Sequence, residues 1–312
     1  MVRPVHLLTL LSVLLLGSCT HKDLDFSGVT DLTVELDWKA CPSANPASMM
    51  LAVFTGSSQP IQKHMPDIHG GRIMLPEGNY QMVTYNGETE TLYTRGYSWI
   101  DFEVCAYPTD FEKASRIFVG TRNIPRGVNT EDQTIVVEPE ELWTAAKDDI
   151  KVTGSAGSRI TMNVEEATFV LHFTIKNVQN IEFISDILAT ISGMSGSWLP
   201  AQHQCSEPLC IIPFKLTKTG NSMSGSVRTF GYRHEGDDAP DHLLVIYTEM
   251  SDGSKLYYTF NVTEAMNNAE VDSNGEINVE LEELPLPRPI NNGTGLHPDV
   301  MDWEEIIIPV DM

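Results

Sequence analysis

The sequence predicts an all-β protein made of two antiparallel β-sandwich domains with one short helix between them. Short segments of alternating apolar and polar residues recur along the chain, and turn-forming residues separate them. Apolar residues make up 41% of the 312 residues, which is enough to fill hydrophobic cores. Because this length exceeds that of most single domains, we expect two such cores.

The first 18 residues indicate a secretory signal. Arg3 supplies a positive start, and a leucine-rich apolar run follows over 7–16. This run is too short to span a bilayer core of about 30 Å, since a helix rises only about 1.5 Å per residue. Gly17 and Ser18 are the small residues that precede a cleavage site. We therefore expect residues 1–18 to be a signal peptide that is removed.

The signal ends in Leu16-Gly17-Ser18-Cys19, which resembles the lipobox of bacterial lipoproteins. The resemblance implies that Cys19 is lipidated and becomes the new N-terminus. Acyl chains such as palmitate would then hold the protein at a membrane. Residues 19–30 would form the lipid-anchored tether. An ordinary signal with a chance cysteine is the alternative.

The predicted N-terminal domain covers residues 31–150. Its first strand, 31–38, alternates between apolar and polar residues, as a half-buried strand does. The unbroken apolar run 49–54 predicts a strand that is covered on both faces. Residues 71–86 predict a hairpin with the turn Pro-Glu-Gly-Asn. Further short strands are expected near 100–105, 115–119 and 133–138.

The segment 138–150 predicts the short helix, at the end of the N-terminal domain. Pro139 suits a first helical turn, and acidic residues crowd the end where the helix dipole favours negative charge. The small and polar residues of 151–159 predict a linker to the second domain.

The predicted C-terminal domain covers residues 160–312 and repeats the β pattern. Residues 243–260 predict a hairpin closed by Ser-Asp-Gly-Ser, and a final apolar strand, 303–310, follows the irregular segment 285–300. The other strands are expected at 168–178, 184–191, 209–216, 222–230 and 276–282.

Four cysteines remain after Cys19, and an even number suits an oxidising compartment. Cys205 and Cys210 are close enough in sequence for a local disulfide, which would leave Cys41 and Cys105 as a second pair. Buried thiols are the alternative. His203 with Cys205 and Cys210 offers three zinc ligands, but a structural zinc site commonly has four, so we predict no metal.

The composition argues against several classes of function. Acidic residues outnumber basic ones by 43 to 20, and a net charge of −23 disfavours binding to nucleic acid. Residues 191–198 lack the spacing of a serine nucleophile elbow, and no phosphate-binding glycine loop is present. We predict a protein that is not an enzyme, with no catalytic residues and no cofactor.

Several stretches together resemble a family of Bacteroidales lipoproteins related to the fimbrillin-associated anchor proteins. They are CTHKDLDF after the lipobox, ISGMSGSWL, the long segment 230–269, and the closing LPLPRPINNGTGLHPDVMDWEEIIIPV. The resemblance implies two transthyretin-like or immunoglobulin-like sandwiches. It also implies a lipoprotein that anchors or decorates fimbriae at the outer membrane. One departure is Asp25-Phe26-Ser27-Gly28, where close relatives tend to have Cys-Tyr-Asp-His.

The leading functional hypothesis is a surface-exposed lipoprotein of the outer membrane that anchors, or is a minor subunit of, a fimbria-like cell-adhesion assembly. Fimbrillin-like subunits are the expected partners. The resemblance implies assembly by strand addition, so the final strand is the candidate assembly strand. The alternative, which suits an anchor better, is that this strand closes its own domain. Its residues are Trp303, Ile306, Ile307, Ile308 and Val310.

The second hypothesis is a glycan-binding lipoprotein that serves polysaccharide uptake. It depends on an exposed stacking platform formed by some of four tryptophans, although core packing is the more common role of such residues. They are Trp99, Trp143, Trp198 and Trp303.

Overall fold

The computed structural model describes residues 28–56, 59–121, 123–154, 157–232, 240–271, 275–289 and 303–307. The strands of the first half are β1 Val29–Asp37, β2 Ser48–Phe54, β3 Ile61–Met65, β4 Gly70–Pro76, β5 Gly78–Gly87, β6 Leu92–Arg95, β7 Glu103–Ala106, β8 Thr134–Ile135, β9 Trp143–Val152, β10 Ser158–Asn163 and β11 Glu165–Glu166.

The second half continues the same architecture. Its strands are β12 Phe169–Gln179, β13 Ile184–Ser195, β14 Ser197–Leu199, β15 Gln204–Cys205, β16 Leu209–Phe214, β17 Thr217–Thr219, β18 Ser222–Thr229, β19 Leu243–Met250, β20 Lys255–Asn261, β21 Ile277–Pro285 and β22 Glu304–Ile307. The short helices are α1 Phe111–Ala114 and α2 Thr263–Asn268, with 3-10 turns at Arg116–Phe118 and Ile181–Phe183. The all-β prediction is confirmed.

The first sandwich packs a three-stranded sheet, β10-β1-β4, against a five-stranded sheet, β11-β9-β5-β2-β3. The alternation in β1 gives the burial that the sequence predicts, since Leu32, Val34 and Leu36 are buried and the residues between them are half-buried. β1 is the central strand of its sheet, antiparallel to β4 and parallel to β10. Gly70, at φ +123, opens β4 where any Cβ would overlap the carbonyl oxygen of Val34.

The second sandwich packs the sheet β17-β18-β12-β21 against the six-stranded sheet β22-β20-β19-β13-β16-β8. In β12, Leu171, Phe173 and Ile175 are fully buried and alternate with polar residues that face outward. The hairpin of β19 and β20 forms as predicted, with an antiparallel register and a turn over residues 251–254.

A third sheet, β15-β14-β7-β6, joins the two halves of the chain, and we call it the bridging sheet. Its β6 and β7 belong to the segment between β5 and β9, whereas β14 and β15 come from the second half. The same early segment supplies β8, which pairs in parallel with β16. One hydrophobic cluster, which we call the main core, runs without a break from Phe54 and Tyr85 of the first half to Phe173 and Phe214 of the second.

The predicted helix over 138–150 is wrong, because residues 143–152 form strand β9 instead. β9 pairs with β5 on one side and with β11 on the other. Trp143 and Ala145 are buried in the core of the first sandwich. This burial and pairing outweigh the local helical signals of Pro139 and its acidic neighbours.

Three other predictions need correction. β4 and β5 are both present, but they lie in different sheets and do not form the predicted hairpin over 71–86. Residues 116–118, predicted as part of a strand, form a 3-10 turn. Within the predicted linker, β10 begins at Ser158 and pairs with β1, so this stretch is part of the first sandwich.

Candidate functional site

The predicted assembly strand lies at one edge of the six-stranded sheet. β22 pairs in parallel with β20, and the register places Glu304 opposite Leu256 and Ile307 opposite Thr259. The structure describes Trp303 and the backbone of residues 304–307, so Ile308 and Val310 lie outside the described residues. The strand therefore closes the sheet of its own chain through four residues.

Trp303 fixes the start of β22 in an aromatic socket formed by Phe118, Tyr247 and Tyr257. The Trp303 ring lies 5.4 Å from the Tyr247 ring and 6.4 Å from the Tyr257 ring, both in edge-to-face geometry. It lies 5.8 Å from the ring of Phe118. Such aromatic pairs each add about 0.5–1.5 kcal/mol beyond their buried area. The socket therefore makes Trp303 the main side-chain attachment described for this strand.

The socket forms because the central strands of this sheet are covered on both faces. In β19, Leu244 and Ile246 face the main core, whereas Val245 and Tyr247 face the opposite way. The segment that contains α1 and the first 3-10 turn covers this second face through Phe111, Ile117 and Phe118. The continuous apolar run in β19 is the sequence signal of this double burial.

Two side chains, Tyr247 and Lys255, stabilise the socket through three hydrogen bonds. The Tyr247 hydroxyl donates to the carbonyl oxygen of Pro125 at 2.8 Å, and burial raises the pKa of this hydroxyl. Lys255 donates from Nζ to the carbonyl oxygen of Ile117 at 3.0 Å and to the hydroxyl of Thr121 at 2.7 Å. The same Nζ lies 5.8 Å from the centre of the Trp303 ring, within the range of a cation–π contact.

The indole nitrogen of Trp303 is buried and has no hydrogen-bond partner among the described residues. Among the described residues, the socket therefore holds Trp303 by the shape and electrostatics of its ring.

The cysteines do not form the predicted pairs in the structure. Cys41, Cys105 and Cys210 are buried, and Cys205 is half-buried, with no disulfide among the four. Burial raises the pKa of Cys105 to about 11. Among the residues that the structure describes, no three His, Cys, Asp or Glu side chains are grouped as metal ligands, and His203 instead lies 3.8 Å from Glu165.

The four tryptophans do not form a shared stacking surface. Trp99 packs edge-on against Phe54 at 5.9 Å, and Trp143 packs edge-on against Trp38 at 6.4 Å. Trp198 packs against the main core, and Trp303 occupies its socket. The platform predicted for them is therefore absent from the described structure.

One polar array was not anticipated from the sequence. On the outer face of β12, His172 Nδ1 lies 2.7 Å from the hydroxyl of Ser226, and His172 Nε2 lies 3.0 Å from a carboxylate oxygen of Glu276. Ser226 sits inside β18, which pairs with β12 on one side and with β17 on the other. A nucleophilic serine normally sits on a sharp turn beside free backbone N–H donors. This array therefore acts as a cross-strand polar contact.

Comparison with known proteins gives relatives along the whole chain. A predicted fimbrium anchoring subunit, Fim4B, of Bacteroides ovatus is 22% identical over 351 residues, which cover 99% of each chain. The crystal structure of a predicted adhesin from Bacteroides ovatus has a TM-score of 0.62 and 20% identity, covering 86% of this chain and 99% of that one.

A second crystal structure, of a predicted polysaccharide-binding protein from Bacteroides thetaiotaomicron, has a TM-score of 0.51 and 11% identity. The match covers 81% of this chain and 90% of the other chain. These neighbours share the fold, and the anchoring subunit confirms the resemblance that the sequence motifs indicated. The model of the family described as "Domain of unknown function (DUF5119)" matches residues 18–215. Since this match spans more than half of the chain, the protein belongs to the DUF5119 family.

Proposed function

We propose that this protein is a lipid-anchored, non-enzymatic surface protein that anchors, or is a minor subunit of, a fimbria-like assembly at the outer membrane. The observation that carries the proposal is a final strand at a sheet edge, on a chain related along its whole length to a predicted fimbrium anchoring subunit. Fimbrial subunits are the proposed partners.

The tether is proposed to begin at Cys19, which lies outside the described residues. Within the described part of the chain, no helix is long and apolar enough to cross a membrane. Cys19 precedes the start of β1 at Val29 by ten residues, a length that reaches about 35 Å when extended. Acyl chains on Cys19 would hold the first sandwich near the membrane surface.

The assembly surface is proposed to be the outer edge of β22. Among the described strands, β20 alone pairs with β22, so the other edge of β22 offers backbone donors and acceptors. An edge strand of this kind is a template for another chain. Two of the other edges have features that hinder such pairing, since Pro60 precedes β3 and β17 has only three residues. β22 begins with Glu304 and Glu305, and its sequence leads into a run of three isoleucines.

Cross-linking in the native outer membrane tests the partner. The full-length protein is captured, and its cross-linked partners are identified by mass. We expect fimbrial subunits, with a yield that falls at least tenfold when the chain is truncated after residue 302. Lys218→Pro, which alters a different sheet edge, is the matched control and should leave the yield unchanged. Capture of importer components without fimbrial subunits would refute the proposal.

Metabolic labelling tests the tether separately. We expect labelled palmitate in the wild-type protein and none in Cys19→Ser, together with a shift of that variant out of the membrane fraction. A Cys19→Ser protein that stays in the membrane fraction after washing in high salt would refute lipid anchoring.

A further inference from the structure

One face of the bridging sheet carries a set of side chains that the assembly strand does not use. Tyr93 lies directly opposite Cys105, and Arg95 lies directly opposite Glu103, so all four share one face of the β6–β7 pair. Tyr107 follows two residues after Cys105 and stacks with Tyr93. The opposite face of the same strands, including Leu92, Val104 and Ala106, is buried in the main core.

The two tyrosines form a stacked pair, in which one face of each ring covers the other. Their ring centres are 4.8 Å apart, and the rings are inclined by 31°. Tyr107 is 45% exposed, and its backbone is fixed because its N–H donates to Thr91 at 3.0 Å and its carbonyl accepts from Val137 at 2.9 Å. The pair is therefore accessible and held in place before any ligand arrives.

A preorganised charged pair flanks the rings. Arg95 donates to a carboxylate oxygen of Glu103 at 2.9 Å, and their side chains are 49% and 17% exposed. The hydroxyl of Ser197 donates to the same carboxylate oxygen and lies 2.6 Å from the hydroxyl of Ser206. The carboxylate is thus held from the buried side while the guanidinium remains half exposed.

We propose that this surface, the tyrosine platform of Tyr93, Tyr107, Arg95 and Glu103, binds an uncharged saccharide. A pyranose ring has an apolar face of C–H groups, which can lie flat on the outer face of the exposed Tyr107 ring, and a rim of hydroxyls. The guanidinium and carboxylate can donate to and accept from those hydroxyls. A few placed polar groups beside an aromatic surface is the usual composition of a small-ligand site.

The charge and size of the tyrosine platform favour an uncharged saccharide over an acidic polymer and over a protein partner. Arg95 and Glu103 cancel one another, so the surface carries no local excess of positive charge for an acidic polymer, and the chain as a whole is at −23. A stable protein partner needs about 800 Å² of contact on each side. Two tyrosine rings beside a charged pair offer much less apolar area than the core of such an interface.

Calorimetry on the full chain in detergent tests the platform. The probes are maltohexaose, cellohexaose and mannohexaose, with polygalacturonate as an anionic comparison. We expect at least one of the three neutral probes to bind. Its affinity should fall about tenfold in Tyr107→Ala, because a lost stacking contact is worth up to about 1.5 kcal/mol. Tyr107→Phe keeps the ring and should stay within about twofold of the wild type.

Tyr97→Ala is the matched control, since Tyr97 is 63% exposed on the same hairpin but is not part of the stacked pair. It should bind like the wild type, and unchanged thermal unfolding shows that the variants fold. The inference is overturned if no neutral probe binds, if polygalacturonate binds better, or if Tyr97→Ala loses as much affinity as Tyr107→Ala. Loss of cross-linked fimbrial subunits in Tyr107→Ala, with saccharide binding intact, would instead make the platform a protein interface.

Discussion

Replacement of Trp303 by alanine should weaken the final strand measurably. A fully buried tryptophan costs about 3–5 kcal/mol when it is truncated to alanine. Trp303 is only partly buried, so we take about 2 kcal/mol for lost burial and about 1.5 kcal/mol for the three ring contacts, at about 0.5 kcal/mol each. We therefore expect Trp303→Ala to lower the free energy of unfolding by about 3.5 kcal/mol.

Urea unfolding followed by circular dichroism measures this change, and hydrogen exchange locates it. In Trp303→Ala, the amides of β20 should exchange faster, because β20 loses its outer neighbour more often. Trp99→Ala is the matched control, since it removes another partly buried tryptophan from an edge-to-face contact with Phe54 of β2, which belongs to a different sheet from β22.

Two results would refute this reasoning. One is a loss below about 1 kcal/mol, which would mean that the socket does not hold the strand. The other is the full expected decrease in the free energy of unfolding with unchanged hydrogen exchange in β20. That result would mean that Trp303 stabilises a part of the fold other than the final strand. In either case the strand could not be attached through the ring contacts seen in the structure.

Three further predictions concern other parts of the fold. Gly70→Ala should cost about 2 kcal/mol or more in urea unfolding, because its Cβ overlaps the carbonyl oxygen of Val34 at a positive φ. Glu138→Gln should stabilise the fold slightly more at about pH 7 than at about pH 4, because desolvation raises the pKa of Glu138 and the stabilising protonation is lost as the pH rises through the folded-state value; the difference is small because this residue is exposed. Cys105 should react with iodoacetamide at about pH 8 only after unfolding, because burial raises the pKa of its thiol to about 11.

Each of these predictions has a control or a contrary outcome. Gly120 has a φ of +71, and no atom lies within 4 Å of where an added Cβ would sit, so Gly120→Ala should cost only about 1 kcal/mol. A stability gain in Glu138→Gln that is equal at both pH values would exclude a titrating carboxyl as the cause. Failure of Cys105 to react even in the unfolded protein without reductant would show a disulfide instead of a thiol.

Local sequence patterns predict the strands whose two faces differ. The alternation in β1 and β12 predicts both their extent and their buried faces, because one face meets a core and the other meets solvent. The unbroken apolar runs in β2 and β19 predict burial on both faces, which the structure bears out with separate clusters on either side. Patterns of this kind do not say which chain segment covers the second face.

The errors arise where pairing is decided by distant segments. The helical signals around Pro139 are outweighed once β9 pairs with β5, whose sequence lies more than fifty residues earlier. The turn between β4 and β5 is real, but β4 pairs with β1 and β5 pairs with β2 and β9. The aromatic socket and the tyrosine platform were missed for the same reason, since each depends on strands brought together by long-range pairing.

The bridging sheet has a mechanical consequence under the proposed function. A tether at the N-terminal end pulls on the first sandwich through β1, whereas a fibre attached at β22 pulls on the second. With a flexible linker between independent sandwiches, this load would fall on the linker. Here β7 pairs with β14 across the two halves, and one continuous hydrophobic cluster backs the pairing. Separating the halves therefore requires the backbone pairing and the buried core to break together, so the load passes between the sandwiches without a compliant hinge.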